Sequence, residues 1–571
     1  MELLYVWIED YKNIKKQGFN FSPKHWFDFE YEEDKEGTVI GGTLHHEERN
    51  SNYPKDFFGE NISNVTAIVG KNGSGKSNLT EYLIEIIRQS ECTSEYNNLN
   101  NFTLVFKSSI DKIRIISSIF KTNQINLSSN NKIPLTTEYK HLSELYLPLD
   151  LKFLFLSSNI NRRLSSINIP HSFFETQQID LSNITLLEDY NLDQVHYQDI
   201  LNITSILYEN AGTFFNFFKH PKYLTIEVQH DNIVSDYYHE ADKKEVFLEK
   251  FCRSLLKNIQ SISDIILQDE ISKILENGTF NDILEYIHRN IDSDLTLYNI
   301  LSDALSKDIT VSGIIFYDLD NNADKLHFEQ LRTKLNKFIK DKPWIDLSKI
   351  FKIDWQYKSE NTQTYKSPLS YGELTKASFL ARMYQNIKLS EKEYFVLIFD
   401  ETSIGYHPQW QKHEIYSLIE FLNTVFPTKF FQVLITSHSP FLISDLPKDN
   451  IIFLNKKENG ECEVKQPEDM THTFGANIHS LYRNSFFLEN GLMGEFAKGK
   501  IDQVIRNLSN EQLNEKEKMS PEDIQFVIQQ IGEPLIKNKL QQMYDQHFHF
   551  DLEDRIKQLE KEVADLKKRR K

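Results

Sequence analysis

The pattern of apolar and polar positions along the chain predicts a mixed α/β protein that begins with strands. Within the first 64 residues, large apolar side chains recur at every second position (Leu3, Tyr5 and Trp7), which is typical of a half-buried strand. Later in the chain, mainly apolar runs of strand length predict buried strands of a central sheet. These runs span residues 65–69, 152–156, 394–399 and 431–435, and residues 102–107 and 113–115 read as further strands.

The apolar period becomes helical between Asp180 and Ser306. Apolar heptads are not sustained in this stretch, so a long coiled-coil arm is not expected. The pattern instead predicts a compact helical insertion. One face of its most regular helix collects Phe247, Phe251, Leu255, Ile259 and Ile262.

Length and composition are typical of a folded protein of two or three domains. The 571 residues carry a net charge of −18, which argues against a uniformly basic nucleic-acid binder but leaves local DNA contact open. Cys92, Cys252 and Cys462 are far apart without C-x-x-C spacing, so we expect reduced thiols, no disulfide and no zinc. Because we find neither a leader nor an apolar run of membrane-helix length, we expect a soluble, cytoplasmic protein without a membrane partner.

The residues that follow the first apolar run predict a phosphate site. Residues 70–77 read G-x-x-x-x-G-K-S, a P-loop, and a helical pattern follows them. Glycines let the backbone N–H groups of such a loop point at phosphate oxygens, while Lys76 reaches the β- and γ-phosphates and the Ser77 hydroxyl ligates Mg²⁺. We therefore expect ATP and Mg²⁺ to be bound by the loop residues Gly70, Asn72, Gly73, Ser74, Gly75, Lys76, Ser77 and Asn78.

Two later strands end in polar groups that suit the same chemistry. The run at residues 394–399 leads into Asp400 and Glu401, as in a central strand that presents a carboxylate to Mg²⁺. We expect Asp400 to hold the metal through water and Glu401 to polarise the attacking water as general base. The run at residues 431–435 leads to His438, which by itself would more often be a structural residue and gains a catalytic interpretation from this context.

A helix start lies between the P-loop and these strands. Ser370 and Glu373 have the spacing of a capping box, and Gly372 lies between them. Taken alone, this pattern predicts the first turn of a helix as readily as it predicts a binding motif.

The order of the motifs changes that balance. A P-loop, an L-S-x-G-E segment, an apolar strand with Asp-Glu and an apolar strand with T-S-H-S-P closely resemble the ABC-type ATPases of the SMC and RecF-like branch. The resemblance implies the following parts: a Walker A motif at Gly70–Ser77, a signature motif at Leu369–Leu374, a Walker B motif at Tyr394–Asp400, a catalytic Glu401 and a switch His438.

In that family, two protomers enclose ATP between them. The resemblance thus implies a homodimer or a higher homo-oligomer in which Ser370 and Gly372 act on the P-loop of another protomer. Binding would close the dimer and hydrolysis would open it. The chain departs from the residues that the family commonly has at Tyr371, Glu373 and His407. No glutamine is clear as the Q-loop residue, and we assign this role to the end of the strand, at Ser158 or Asn159.

The resemblance also implies a fold and a division of the chain. The fold is an ABC-type P-loop ATPase head with a mixed central sheet, flanking helices and an N-terminal antiparallel β part. We expect residues 1–179 to form the N-terminal half of the head, 180–306 the helical insertion, 307–460 the C-terminal half of the head and 461–571 a helical extension.

The C-terminal stretch narrows the resemblance. Thr473–Ile505 looks like the tail of overcoming-lysogenization-like and Septu-type (PtuA) antiphage ATPases, and residues 500–571 lack the pattern of an appended TOPRIM nuclease. The Septu interpretation implies a separately encoded HNH endonuclease (PtuB-like) as partner, in some systems beside a retron reverse transcriptase with its DNA and RNA. Two alternatives stay open: a DNA-repair or chromosome-maintenance ATPase, and a nucleotide-sensing scaffold that hydrolyses ATP slowly.

Two further patterns are weaker. Acidic and amide residues from Asp318 to Glu329 match several positions of a calcium loop, but Ala323 and Lys325 depart from it, so an ordinary polar loop is favoured. Near the end of the chain, apolar residues at heptad spacing predict either a partner-binding helix or a solvated terminal helix. These residues are Leu552, Ile556, Leu559, Val563 and Leu566.

Overall fold

The structure is a computed structural model, and it forms two compact units, Met1–Phe487 and Leu488–Lys571. It describes residues 1–49, 52–91, 101–107, 113–119, 125–129, 135–137, 151–157, 178–180, 192–228, 243–261, 263, 265–292, 296–304, 314–342, 345–358, 364–365, 369–403, 405–466, 471–484, 493–509, 514, 517–548, 556 and 560–561.

The described residues alternate between strands and helices over most of the chain. The strands are β1 (Glu2–Tyr11), β2 (Ile14–Asn20), β3 (His25–Glu33), β4 (Val39–Glu48), β5 (Ile62–Gly70), β6 (Phe102–Lys107), β7 (Ile113–Ser117), β8 (Ile125–Ser129), β9 (Leu135–Thr137), β10 (Leu151–Ser157), β11 (Gln178–Asp180), β12 (Tyr223–Val228), β13 (Ile314–Asp318), β14 (Phe351–Lys358), β15 (Thr364–Tyr365), β16 (Tyr394–Asp400), β17 (Phe430–Thr436), β18 (Ile451–Lys456) and β19 (Cys462–Lys465). The helices are α1 (Lys76–Glu91), α2 (Leu192–Leu207), α3 (Lys243–Gln260), α4 (Ile265–Asn277), α5 (Phe280–Asn290), α6 (Thr296–Ala304), α7 (Asn322–Asp341), α8 (Tyr371–Lys388), α9 (Pro408–Lys412), α10 (Glu414–Val425), α11 (Pro440–Ser444), α12 (Ile478–Asn484), α13 (Glu495–Leu508), α14 (Pro521–Gln530) and α15 (Pro534–His547).

A seven-stranded sheet with the order β11-β10-β16-β17-β5-β18-β19 forms the centre of the first unit. Its strands are parallel except for β19, which pairs antiparallel with β18. The mainly apolar runs in β5, β10, β16 and β17 suit such strands, because helices and other strands cover both faces of a parallel sheet. The predicted mixed α/β fold with a buried parallel sheet is confirmed. Because the strands are parallel, their carboxyl ends meet at one edge.

Two mainly antiparallel sheets lie beside this sheet; β1–β2, β1–β6, β6–β7 and β3–β4 pair antiparallel, whereas β4–β8 and β7–β9 pair parallel. A five-stranded sheet has the order β2-β1-β6-β7-β9, and a three-stranded sheet has the order β3-β4-β8. The buried side chain of Gln432 joins the five-stranded sheet to the central sheet: its Oε1 accepts from the Leu3 N–H at 2.7 Å, and its Nε2 donates to the Leu3 carbonyl at 2.8 Å. A buried amide with both ends satisfied fixes how the two sheets pack.

The structure differs from the predicted helical insertion in one respect. Helices α2–α6 lie within residues 180–306, but β12 lies among them and pairs with β13 and β14, which come much later in the chain. These strands belong to a four-stranded sheet of order β13-β12-β14-β15, and we call this sheet together with α2–α7 the insertion lobe. A six-residue strand whose partners are about a hundred residues away gives only a weak local signal. The proposed boundaries at 179/180 and 306/307 stay predictions.

The end of the head also differs from the sequence prediction. Strand β19 lies after residue 460 yet completes the central sheet, and the first compact unit continues to Phe487. The second unit contains helices α13, α14 and α15, whose mutual packing buries apolar side chains, among them Val504, Ile528 and Leu540. Except for the backbone at 556, the predicted terminal stripe from Leu552 to Leu566 lies outside the described residues. Across the described helices, none is long and apolar enough to cross a membrane.

Candidate nucleotide-binding site

The loop between β5 and α1 has the tight backbone that a phosphate cradle requires. Gly75 has a φ of +112°, in the left-handed region that favours glycine. A Cβ on Gly70 would lie 2.2 Å from the Leu454 carbonyl oxygen and 2.6 Å from Ser74 Oγ, so no larger residue fits there. Ser74 is fully buried, and its Oγ has no hydrogen-bond partner among the described residues. The loop therefore presents close-packed backbone and a buried polar group that lacks an internal partner.

Lys76 is held inside this loop. Only 5% of the residue is exposed, and Nζ donates to the carbonyl oxygens of Gly70 at 3.0 Å and Lys71 at 3.3 Å. Helix α1 begins at Lys76, so the positive end of the helix dipole points at the same loop. The Lys76 ammonium and the positive end of the α1 dipole thus concentrate positive charge where the sequence predicts phosphates.

Asp400 lies at the centre of the polar edge of the sheet. Strand register places it beside Ser157 of β10 and Thr436 of β17. Its Oδ1 accepts from Thr436 Oγ1 at 2.6 Å and from Ser77 Oγ at 3.4 Å, and its Oδ2 accepts from Ser157 Oγ at 3.5 Å. The structure thus brings together Ser77 and Asp400, the two predicted magnesium ligands, which lie 323 residues apart in the chain.

Glu401 and His438 meet directly after the two strand ends. His438 Nε2 lies 3.3 Å from Glu401 Oε1, and about 41% of the histidine side chain is exposed. Glu401 has a φ of +52°, a left-handed conformation that costs a non-glycine residue about 1–2 kcal/mol. Its backbone N–H donates to the Thr436 carbonyl at 3.2 Å and to Thr436 Oγ1 at 3.1 Å, which compensates part of that strain. A strained backbone conformation that neighbouring hydrogen bonds hold in place is typical of a functional position.

Sequence reasoning did not assign roles to Thr436 and Ser157. Thr436 Oγ1 orients Asp400 while it accepts from the Glu401 N–H, so one hydroxyl positions both acids. The signal for both residues was present, because each is the polar residue that closes an apolar run. The predicted Q-loop residues, Ser158 and Asn159, lie outside the described residues, directly after Ser157.

Asn13 is a further residue that the motif search missed. It lies in the turn between β1 and β2, where its Nδ2 donates to the Gly73 carbonyl at 3.0 Å and its Oδ1 accepts from Asn78 Nδ2 at 2.7 Å. The Asn13 carbonyl also accepts from the Cys462 N–H at 2.8 Å. Through these hydrogen bonds, the turn between β1 and β2 stabilises the backbone of the P-loop at Gly73 and the side chain of Asn78. Local sequence gave no such signal, since the contact spans about sixty residues.

Ser370 and Glu373 form the predicted capping box at the start of α8. The Glu373 N–H donates to Ser370 Oγ at 3.4 Å, and the Ser370 N–H donates to Glu373 Oε2 at 2.7 Å. Gly372 packs against the loop after Glu401, since a Cβ there would lie 2.9 Å from the Gly405 carbonyl oxygen. In the described ranges, the hydrogen bonds found for the Ser370 and Glu373 side chains are those of the capping box. Gly372 lies beside the residues that follow Glu401 in the same protomer.

A buried acid and a buried base lie behind this contact. Glu414 Oε2 is buried without a hydrogen-bond partner in the described ranges, and burial raises the pKa of Glu414 to about 7, while Lys376 and hydrogen bonds from Ser403 and Thr402 act in the opposite direction. Lys376 extends from α8, its pKa is lowered by burial, and its Nζ lies 4.7 Å from the centre of the Phe217 ring. The pair thus joins the first turns of α8 to the residues that follow Glu401.

Replacement of Glu414 by glutamine should make the stability of the protein less dependent on pH. Because the pKa of Glu414 is raised from 4.5 to about 7 in the folded state, the folded protein binds this proton more tightly than the unfolded chain. The free energy of unfolding should therefore fall as the pH rises from about 4.5 to about 7, by up to about 3 kcal/mol from this group. Glu414→Gln should remove that fall, as measured by urea unfolding at several pH values.

The matched control is Glu420→Gln, which changes an exposed carboxylate on the same helix, α10. Its unfolding profile should run parallel to that of the wild type. Equal pH dependence in Glu414→Gln and the wild type would contradict the assigned burial of the Glu414 carboxyl.

The weaker sequence patterns have structural explanations. Lys222 Nζ donates to both Asp318 and Asp320, and Asp324 accepts from the Asp318 N–H at 2.7 Å, so these acids stabilise the turn from β13 into α7. No cluster of three or more metal-ligating side chains occurs in the ranges that the structure describes.

The cysteines that the structure describes, Cys252 and Cys462, are free thiols. Burial raises the pKa of each to about 12, which disfavours the reactive thiolate. Cys92 lies outside the described residues.

The residues of this edge fit a nucleotide with Mg²⁺. The glycines of the loop let a ligand approach the backbone closely, and the buried Ser74 hydroxyl lacks a hydrogen-bond partner among the described residues. Ser77 and Asp400 offer the hard oxygen ligands that Mg²⁺ prefers. When bound, Mg²⁺ would neutralise phosphate charge. The arrangement can therefore hold a triphosphate on the P-loop and place the Glu401 carboxylate beside it.

Two comparisons with known proteins concern the family of this chain. A protein named "Retron Vc95 probable ATPase", from Vibrio cholerae serotype O1 biovar El Tor, is 19% identical over 448 residues, which cover 74% of this chain and 75% of the relative. The sequence pattern of a family described as "AAA domain, putative AbiEii toxin, Type IV TA system" matches residues 65–444, about two-thirds of the chain. This match begins within β5, the strand before the P-loop, and ends with α11, six residues after His438. The chain therefore belongs to this AAA-domain ATPase family of defence-related proteins.

Proposed function

We propose that this chain is the ATP-binding and ATP-hydrolysing subunit of a bacterial antiphage defence complex. The observation that carries the proposal is the approach of Ser77 Oγ to Asp400 Oδ1 at 3.4 Å, with Glu401 as the next residue. This arrangement supports a magnesium site at Ser77 and Asp400 and a carboxylate base at Glu401, beside the loop that would hold the triphosphate.

The residues of the site have distinct tasks in this mechanism. Lys76 and the backbone N–H groups of the P-loop bind the phosphates and balance their charge. Ser77 and Asp400 would hold Mg²⁺. Glu401 orients the attacking water and accepts its proton, while His438, 3.3 Å from the Glu401 carboxylate, keeps that carboxylate in position.

We further propose that the site is completed by a second copy of the chain. Ser370 is exposed, and 58% of Tyr371 is exposed beside it, so the start of α8 is available to another molecule. Gly372 contacts the loop that follows Glu401 in the same protomer. Closure of a dimer on ATP would therefore shift the residues next to the Glu401 carboxylate in each protomer. Hydrolysis would let the dimer open again.

The proposed output of this cycle is control of a separately encoded HNH nuclease, as in Septu systems. The relative from Vibrio cholerae carries the word retron in its name, which favours a defence role over chromosome maintenance. A retron reverse transcriptase with its nucleic acid is therefore the second proposed partner, and neither partner would require a membrane.

Affinity purification of the full chain from its native host tests the proposed complex. We expect an HNH protein to co-purify, as identified by mass spectrometry, and a reverse transcriptase with its DNA to accompany it if the system is a retron. Recovery of replication or recombination proteins without a nuclease would contradict the defence proposal and support the maintenance alternative. The control is the same purification with an unrelated tagged ATPase.

A further inference from the structure

The insertion lobe contains a second cavity that none of the ATPase motifs uses. Its volume is about 890 Å³, within the range of roughly 300–1,000 Å³ that is typical of small-ligand sites. It lies between helices α2 and α3 and the adjoining ends of β12 and β14. Its lining includes His196 from α2 and Ser261 directly after α3. No P-loop, Walker B or signature residue takes part in its walls.

The rim of this cavity is cationic, although the chain as a whole has a net charge of −18. Four lysines line it, against two acids, Glu227 and Asp354. The lysines are Lys250, Lys257, Lys349 and Lys352. Two of these lysines make long ion pairs: Lys349 Nζ lies 3.9 Å from Asp346 Oδ2, and Lys352 Nζ lies 3.9 Å from Asp354 Oδ2. A concave surface lined by one sign of charge attracts the opposite sign, so this cavity favours an anion.

A buried amide in the wall points to a ligand with hydrogen-bond acceptors. Asn258 is 5% exposed and lines the cavity. Its Oδ1 accepts from the Asp346 N–H at 3.4 Å, whereas its Nδ2 has no hydrogen-bond partner within the described ranges. An unsatisfied buried donor costs about 1–3 kcal/mol, so an acceptor on a bound ligand would recover part of that cost.

The floor of the cavity is apolar and partly aromatic. Tyr197 and Phe351 line it together with Ile200, Val228 and Ile353. Because these side chains are nearly buried, with Tyr197 6% and Phe351 2% exposed, they supply an apolar base of the cavity rather than a free stacking surface, and the lysines supply the charge that a ligand phosphate would meet.

We propose that this cavity of the insertion lobe binds a nucleotide unit, whose phosphate is held by Lys250 and Lys257. Asn258 Nδ2 donates to an acceptor on the same ligand. Two sources share this chemistry, a free nucleotide and a nucleotide of a nucleic-acid strand. The site is independent of ATP hydrolysis, so it would persist even if the proposed ATPase cycle were disproved.

Fluorescence anisotropy on the full chain tests this site. The probes are fluorescein-labelled tetrathymidylate and mant-labelled AMP, and the protein carries Lys76→Ala so that the P-loop does not contribute. We expect saturable binding of at least one probe. Lys257→Glu should weaken it about tenfold or more through charge reversal, and Asn258→Leu should weaken it by loss of the buried donor. The matched control, Lys337→Glu, changes an exposed lysine on α7 outside the cavity and should leave affinity unchanged.

The outcomes separate the two sources and expose a wrong assignment. Displacement of the labelled strand by unlabelled AMP assigns the site to free nucleotides, whereas displacement by unlabelled strand alone assigns it to a nucleic acid. Absence of binding by both probes overturns the proposal. So does equal displacement by an oligoglutamate peptide, or an equal loss in Lys337→Glu, since each would indicate unspecific charge attraction. If Asn258→Leu does not fold, Lys257→Glu decides the matter, because Lys257 is partly exposed.

Discussion

Lys76→Ala should lower the affinity for ATP with Mg²⁺ by at least about 100-fold, because it removes two charge-assisted hydrogen bonds to phosphate. The ammonium already lies inside the loop, within 3.3 Å of two loop carbonyls, so little reorganisation precedes phosphate binding in the wild type. Equilibrium binding of a fluorescent ATP analogue measures the loss directly. Protection of the host against phage should be lost in the same variant.

The control for this change is Lys337→Ala, which removes an exposed lysine of α7 far from the motifs in sequence. It should retain both nucleotide affinity and protection. Intact protection in Lys76→Ala would remove ATP from the mechanism, even if binding in solution were weakened.

Glu401→Gln should reduce ATP turnover by about 10²–10⁴-fold while nucleotide affinity is kept, because glutamine cannot accept the proton of the attacking water. The side chain keeps its size, and the left-handed backbone at this position, supported by Thr436, is not disturbed. A phosphate-release assay under saturating ATP measures the change. Because a dimer closed on ATP would no longer open, the variant should also elute as a dimer in size-exclusion chromatography when ATP and Mg²⁺ are present.

Glu420→Gln, on the exposed face of α10, should behave like the wild type in both assays. Indistinguishable, near-zero turnover in the wild type and Glu401→Gln, with and without partners, would favour the nucleotide-sensing scaffold over the hydrolytic cycle. Turnover that persists in Glu401→Gln would assign the base to a different residue.

The contact between the start of α8 and the loop after Glu401 supports the proposal that Gly372 and Glu401 act together. Gly372 cannot carry a Cβ without meeting the Gly405 carbonyl oxygen, and Gly405 in turn packs against the Tyr371 ring. Glu414 and Lys376 lie buried behind the same contact. A shift of α8 on dimer closure would therefore displace the residues that follow Glu401, since packed interiors transmit strain.

The sequence by itself determined the elements and groups whose cause is local. A P-loop needs glycine at fixed spacing because of backbone sterics, and buried parallel strands need continuous apolar runs, so Gly70–Ser77 and the strand before Asp400 could be read directly. The capping box of Ser370 and Glu373 is equally local, and the structure confirms it. The antiparallel start of the chain follows from its alternation for the same reason.

Only the tertiary structure decided which distant groups meet. Strand order sets Ser157, Asp400 and Thr436 side by side although hundreds of residues separate the first from the others, and a hairpin turn brings Asn13 onto the P-loop. The insertion cavity likewise exists only because β12 pairs with a strand that follows about 120 residues later. Register and packing are properties of the whole chain, since each pairing becomes favourable only when its remote partner is already in place.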